Sequence, residues 1–343
     1  MNTHNSDMSK LELEQEFEAL LNYLKEDLCC DLTIYKRLTV VRRFKHRMLE
    51  LKINSYTDYL EYLKNHPQEY LHLSNTVFIN FSSFFRDRDS WGYIANDIIP
   101  KILTNKQSKE PIKVWSAGCA SGQEAYTIAI LLAEILGIEQ YLERVQIFAT
   151  DIDKDALLQA RQGCYNKLEV ADINSYLLLK YFDKKFENNE QYYIINFNLR
   201  RKIIFGHHDL AKNAPMSKID LLICRNVLIY LNSETQTSVF VRFHFALNHN
   251  GFLFLGNTES LVKSEDIFSL INLKHRIFAK GENLTLQQHL LIIPTTQRKK
   301  KVITSNSTDE TQICKTAFKA SSYGAETDKN LHQNISSSVD LHL

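Results

Sequence analysis

The chain has 343 residues, is 44% hydrophobic, and sets 41 Lys and Arg against 40 Asp and Glu for a net charge of +1. That length accommodates one large domain or two ordinary ones, and the charge balance gives no global case for nucleic-acid or membrane-surface binding. Six cysteines without a CxxC pair form no disulfide framework and read as reduced thiols in a cytosolic protein. Met1–Lys10 lacks a signal-peptide core, and no apolar run approaches the ~20 residues that a membrane span needs.

Residues 11–73 read as a helical N-terminal domain. Leu13, Phe17, Leu20, Leu21 and Leu24 recur at three- and four-residue steps. Asp31 or Thr33 is expected to cap the helix that carries the basic run Lys36, Arg37, Arg42, Arg43, Lys45, His46 and Arg47. Ser55 opens another helix with an apolar side of Tyr56, Tyr59, Leu60 and Leu63. Residues 74–92 are read as a linker and the start of an active-site segment.

From Pro111 short apolar runs alternate with helical stretches: Ile112–Ser116, Val145–Thr150, Lys202–Gly206, Ile219–Cys224 and Phe252–Gly256. Such alternation predicts an α/β fold with a parallel sheet covered on both faces. About 182–205 is expected to insert a small antiparallel β-subdomain, because Tyr192–Phe197 is β-rich and Lys184–Gln191 is a polar turn candidate. His275–Lys280 is a candidate closing strand, and 295–343, rich in Ser, Thr, Asn and Lys, is expected to be a disordered tail without a second domain.

The chemistry concentrates in VWSAGCASGQE (Val114–Glu124) followed by FATD (Phe148–Asp151). A strand enters a glycine turn, a helix follows, and a second strand ends on an acid. That is a βαβ unit with a nucleotide-sized site at its strand ends. Glycine lets the turn pass close under a ligand, and the acid suits ribose hydroxyls. By itself the turn is a weak signal, since its spacing is not GxGxxG and any α/β protein has tight turns. Adjacent His207 and His208 point to opposite faces of a strand, so no metal site is expected.

Three further segments sharpen the reading: INFSSFFRD (Ile79–Asp87), HDL (His208–Leu210) with IDLLICRNVLIY (Ile219–Tyr230), and NHNGFLFLGNTES (Asn248–Ser260). In order and spacing, from about Leu13 to Gly281, the set resembles the CheR family of S-adenosylmethionine-dependent methyltransferases that act on chemoreceptor glutamates. The resemblance implies a Rossmann-like S-adenosylmethionine-dependent methyltransferase domain over 93–281, preceded by an all-α domain. It implies S-adenosylmethionine as cofactor and S-adenosylhomocysteine as product.

Residue by residue, the resemblance implies that Asn80, Ser82 and Arg86 line the cofactor and substrate site. Gly118 belongs to the cofactor turn, and Glu124 lies near the methionine portion. Asp151 binds the ribose, Asp209 and Leu210 flank the adenine, and Arg225 and Asn226 lie at the cofactor. Arg86 and Tyr230 correspond to the family's catalytic pair. On the residues alone, Arg86 could instead form an interdomain ion pair and Tyr230 could be a core aromatic. Ser82 stands where Thr is commoner, Gln123 replaces an acid, Ala125 replaces a Pro and Asp209 replaces Asn, which exchanges an amide donor for an acceptor. The implied partner is the cytoplasmic helical region of a chemoreceptor, met through the basic helix Lys36–Arg47; a solvated face is the alternative. Some relatives grip a peptide with the β-subdomain, but the turn here lacks glycine. A methyltransferase with another substrate and a non-catalytic cofactor-binding scaffold remain as alternatives, and the expected location is the cytoplasm.

Overall fold

The computed structural model describes residues 3–28, 30–77, 82–187, 190–261 and 267–282. Asn80 and the expected tail at 295–343 lie outside the described residues.

The first part is helical because its apolar residues repeat on one stripe. α1 (Thr3–Glu26) buries Phe17, Leu20, Leu21 and Leu24. α2 (Arg37–Leu51) buries Val40, Phe44 and Met48, one every turn, and stops where Lys52 turns left-handed at φ 58°. α3 (Tyr56–Asn65) is capped by Ser55, whose hydroxyl accepts from Asp58 N at 3.0 Å, and buries Tyr56, Tyr59 and Leu63. α4 (Glu69–Val77) closes the core with Leu73 and Val77. The rings of Phe17, Phe44 and Tyr59 meet edge to face at 5.6 and 6.0 Å.

Two expectations in this region change. Asp31 caps only a 3₁₀ turn, Leu32–Ile34, and not the basic helix, which starts at Arg37. The chain between them is held extended because it pairs with a distant segment. Tyr35 bridges Leu231, Lys36 N donates to Tyr230 O at 2.8 Å, and Asn232 N donates to Ile34 O at 2.9 Å. Nor is the basic helix uniformly solvated: Arg47 turns inward. Its Nε and Nη2 fork onto Glu69 at 2.7 Å each, and Tyr59 donates to the same carboxylate at 2.9 Å. Arg37 spans Glu14 and Glu18 at 2.7 and 2.6 Å.

Next come α5 (Arg88–Tyr93), a wider π-helical turn (Ile94–Ile98) and α6 (Ile99–Thr104). The α/β part then runs β1 (Ile112–Ala117), α7 (Gln123–Leu136), α8 (Ile138–Arg144), β2 (Val145–Asp151) and α9 (Lys154–Gln162). An inserted piece follows, with β3 (Cys164–Asn166), α10 (Ser175–Tyr181), β4 (Phe182–Glu187), β5 (Glu190–Ile195) and α11 (Phe197–Arg200). The chain returns with β6 (Ile203–His207), β7 (Ile219–Cys224), α12 (Ser233–Ala246), β8 (Leu247–Leu255), β9 (Phe268–Asn272) and β10 (Ile277–Lys280).

Among the described residues the large sheet has seven strands in the order β6-β2-β1-β7-β8-β10-β9, parallel up to β8 and antiparallel at β10 and β9. Alternate residues feed two cores: Val114, Ile147, Leu221 and Ile223 pack on the α7 side, and Trp115, Ala117, Leu222 and Cys224 on the α12 side. All six residues of β7 are buried, as expected of a strand covered on both faces. The small antiparallel sheet, β3-β5-β4, begins earlier than the expected residue 182, at Cys164, while Ile203–His207 belongs to the large sheet. β3 is three residues long, too short for a period-two signal. Among the described residues no single helix is long and apolar enough to cross a membrane.

Candidate active site

The direction in which strands are added reverses at β1, which leaves a crevice at the carboxyl ends of β1 and its neighbours. Register aligns those ends. Ala117 lies opposite Thr150, Asp151 opposite His207, and Cys224 opposite Leu255. Gly118, Ile152, His208, Arg225 and Gly256 therefore leave the sheet along one rim. A cavity opens there, lined by Ser82, Arg86, Gly118, Glu124, Asp151, Asp209, Leu210, Arg225, Asn226 and Tyr230. These are the site residues expected from the sequence, except Asn80, which lies outside the described residues.

The glycine turn forms the floor. Gly118 N and Cys119 N donate to Thr150 O at 2.7 and 3.0 Å, and Thr150 Oγ1 accepts from Trp115 Nε1 at 2.9 Å. Gly118 has φ +83°, and a Cβ there would stand 2.3 Å from Val227 Cγ2. Larger residues are excluded on both counts. Gly122, at φ +95°, starts α7 and brings Glu124 under the turn.

Three buried acids stand around this floor. Asp151 accepts from Ala120 N at 2.8 Å on one oxygen and from Asp153 N at 2.9 Å on the other, with Ile152 N–H as a third main-chain donor, so the carboxylate plane is fixed and acceptor capacity remains. Burial pushes its carboxyl up, against those main-chain donors. Glu124 accepts from Ser116 Oγ at 2.7 Å. Burial lifts its carboxyl to about 7, only partly offset by the Arg225 charge and the Ser116 hydroxyl. Asp209 accepts from Ala211 N at 2.9 Å and faces Lys212 Nζ at 3.5 Å. Beside it, His208 Nε2 meets Ala214 O at 3.0 Å and its ring stands edge-on to Trp115.

The loop that carries Arg86 is built on backbone strain. Phe85 and Asp87 adopt φ 51° and 61° on either side of Arg86. Phe84 anchors the segment among Tyr165 and Phe182, and Phe85 N donates to Thr127 Oγ1 at 3.1 Å. Arg225 completes the hold. Its Nη1 donates to Arg86 O at 3.0 Å, its Nη2 pairs with Asp87, and its guanidinium lies over Phe254 at 4.8 Å. Arg225 borders the cavity as expected, and two of its nitrogens also hold the neighbouring loop, while its Nε has no hydrogen-bond partner among the described residues. Opposite, Asn226 sits at φ 61° and a 3₁₀ turn, Leu228–Tyr230, carries Tyr230 to the cavity.

Sequence reasoning gave no role to Tyr35, Val40 and Val77, which bring the helical part into the cavity wall. It quoted Glu259 within the Asn248–Ser260 motif without giving it a role, and that residue braces the Asn226 loop. Tyr35 carries no local signal. Glu259 does, as an acid just beyond a buried apolar strand.

The cofactor expected from the sequence is a cationic nucleoside. Acidic Asp151, Glu124 and Asp209, separated by apolar Ile152, Leu210 and Val227, suit both its charge and its base.

Comparison with known proteins agrees. Residues 80–277 match the family described as CheR methyltransferase, SAM binding domain, and residues 15–78 match CheR methyltransferase, all-alpha domain. The chemotaxis protein methyltransferase of Listeria innocua is 30% identical over 269 residues, 78% of this chain and 98% of that protein. An uncharacterized 104.1 kDa protein of Rhodobacter capsulatus is 34% identical over 244 residues, 71% of this chain but only 25% of that protein. A solved S-adenosylmethionine-dependent methyltransferase from Mesorhizobium loti overlays weakly, with a TM-score of 0.24 over 46% of this chain and 50% of its own at 14% identity. On the two family matches, which together span the helical part and the α/β part, this chain belongs to the CheR family of S-adenosylmethionine-dependent methyltransferases.

Proposed function

We propose that the protein methylates glutamate side chains in the cytoplasmic helical region of a chemoreceptor, forming methyl esters. One observation carries the reading: Arg86 and Tyr230, held on two separately braced loops, border the same cavity as the glycine turn and Asp151. Relatives named chemotaxis protein methyltransferase, in Listeria innocua and Borreliella burgdorferi, support it.

The cofactor supplies an electrophilic methyl on a sulfonium. Asp151, its plane fixed by main-chain N–H groups, offers its remaining lone pairs to the ribose hydroxyls. Leu210 and Asp209 flank the adenine, whose amine finds an acceptor in the carboxylate. Glu124 answers the ammonium of the methionine portion, and a cation there favours its ionised form. Gly118, Ser82 and Asn226 shape the remaining wall, together with Asn80 by resemblance. Arg225 serves indirectly, by holding the Arg86 loop.

A glutamate side chain ionises near ~4.3, so the nucleophile is already charged at neutral pH and needs no general base. What it needs is alignment with the methyl and exclusion of water. Arg86 can fork onto the carboxylate and fix one oxygen toward the methyl. Tyr230 orients it through the phenol.

The docking surface follows from α2. Leu38, Arg42, Lys45 and Leu49 fall on one stripe at steps of four, three and four, and all four are exposed. Arg37 and Arg47 are engaged elsewhere. A basic stripe with apolar ends suits an acidic amphipathic helix and makes the encounter salt-sensitive.

The test is methyl transfer from labelled cofactor to a receptor cytoplasmic fragment, followed by mild alkaline hydrolysis. Label released as methanol, and lost with Arg86→Ala, supports the reading. Label in a base-stable linkage, or none on any receptor fragment while S-adenosylhomocysteine binds, would falsify it.

A further inference from the structure

The loop that carries Asn226 and Tyr230 begins where the β7–β8 ladder ends, at Cys224 opposite Leu255. Beyond that point the N–H groups of Val227 and Leu228 share one acceptor, the carboxylate of Glu259, while Tyr230 N turns back onto Val227 O at 3.3 Å. Oε1 accepts from Val227 N at 2.9 Å and Leu228 N at 2.8 Å, and Oε2 accepts from Gly256 N at 2.6 Å. Glu259 is 3% exposed. A single buried carboxylate thus ties the loop after β7 to the turn after β8.

The joint is tight on every side. Asn226 holds a left-handed φ of 61°. A Cβ on Gly256 would stand 2.9 Å from both Asn226 N and Glu259 Oε2. Buried N–H groups without an acceptor are costly, so the loop keeps this course only while the carboxylate is there. Glu259 stands behind the loop, beside a hollow bordered by Lys36, Leu228, Gln236 and Phe240, and is not among the residues that line the cavity.

We infer that Glu259 is a positioning residue for methyl transfer: its carboxylate sets the course of residues 226–230, and with it the placement of Asn226 and Tyr230 at the site. The inference rests on the reading that puts Tyr230 beside the transferred methyl. Charge and shape both matter. A carboxylate accepts at both oxygens, whereas the amide of Glu259→Gln presents an NH₂ to at least one main-chain N–H.

The test compares the wild type and Glu259→Gln by amide hydrogen exchange, calorimetry with S-adenosylhomocysteine, and steady-state methyl transfer to a receptor fragment. Exchange at Val227, Leu228 and Gly256 should accelerate while the β1 and β2 amides keep their rates. The kcat should fall about 10- to 100-fold, the cost of a misplaced reacting group. The KM for the fragment should stay within about threefold, and the S-adenosylhomocysteine affinity, which Asn226 also touches, should fall by less than kcat does, which separates misplacement from lost binding. Unchanged exchange at the three amides, or kcat at the wild-type level, overturns the inference. So does simultaneous loss of kcat, KM and cofactor affinity with faster exchange throughout the sheet, which makes Glu259 a residue of the fold at large. If the wild type itself transfers no methyl to the fragment, the glutamate reading fails, and selective or general exchange still decides the role of Glu259. If Glu259→Gln does not fold, Gly256→Ala presses the same joint from the other side, with the same kcat-selective loss expected and an unchanged kcat overturning it.

Discussion

Two buried glutamates, one in each part of the molecule, live under opposite rules. In the helical part Glu69 is 3% exposed, and burial pushes its carboxyl up, but hydrogen bonds from Arg47 and Tyr59 outweigh burial and hold it below its ordinary value. In the α/β part Glu124 is 8% exposed, receives one hydroxyl, and rises to about 7. The first is a closed account that only holds helices together. The second is left with unmet acceptor capacity beside a cavity, where a ligand can complete it. Buried charge that is paired within a domain stabilises it; buried charge left underpaired at the strand ends is available for binding.

The sharpest way to break this contrast is at the cavity itself. Arg86→Ala is expected to lower kcat by about 100-fold or more, since carboxylate alignment is lost, with S-adenosylhomocysteine affinity near the wild-type value by calorimetry. Its fold should survive, because Arg225 holds the Arg86 carbonyl and not its side chain. In the helical part, Arg47→Met should do the reverse. It strands Glu69 and costs about 2–3 kcal/mol of stability, the worth of hydrogen bonds to a charged group, read by chemical denaturation. Folded Arg47→Met should still bind cofactor. Reversal of Arg47 therefore reports on folding and is unsuited to probing receptor docking.

The two carboxyls also predict opposite pH slopes. Glu69, with its folded value depressed, contributes stability that is present above about 4.5, the unfolded value, and is lost as pH falls through the lower folded value. Glu124, with its folded value raised, contributes stability that is complete below about 4.5 and is lost as pH rises to and beyond about 7. The full swing for Glu124 is on the order of 3 kcal/mol. Cofactor-free protein melted from pH 5 to 8 should lose stability at the upper end, and Glu124→Gln should flatten that loss while weakening cofactor binding. An unchanged slope in Glu124→Gln would place the titration elsewhere. The smallest effect is expected on the exposed stripe. Arg42→Glu with Lys45→Glu should raise the KM for a receptor fragment several-fold at low salt and less at high salt, without moving the melting curve or cofactor affinity.

Much of the architecture was legible in the chain. The helical stripe Phe17–Leu24, the capping Ser55, and the strand Ile219–Cys224 at its observed bounds all follow from apolar period and local turn chemistry. Five ordered motifs also pointed to the residues that the fold gathers at one rim. The misplacements share one cause. Asp31 reads as a helix cap, but the next residues are drawn out to pair with Leu231 and Asn232 about 200 positions later. Cys164–Asn166 becomes a strand only because β5 lies beside it.

The sequence by itself determined most of the helices, the strands of the large sheet such as Ile219–Cys224, and the glycine turn followed by an acid, because those properties depend on neighbours within a few residues. Tertiary structure alone decided how the buried charges are used. Arg225 keeps its place at the cavity, and folding alone adds Asp87 and the Arg86 carbonyl, 138 and 139 residues away, against its guanidinium. Arg47 reads as surface charge until α4 presents Glu69. A charged side chain is committed by whichever partner the fold brings within about 3 Å of it, and that distance is set by packing between elements rather than by the sequence around the residue.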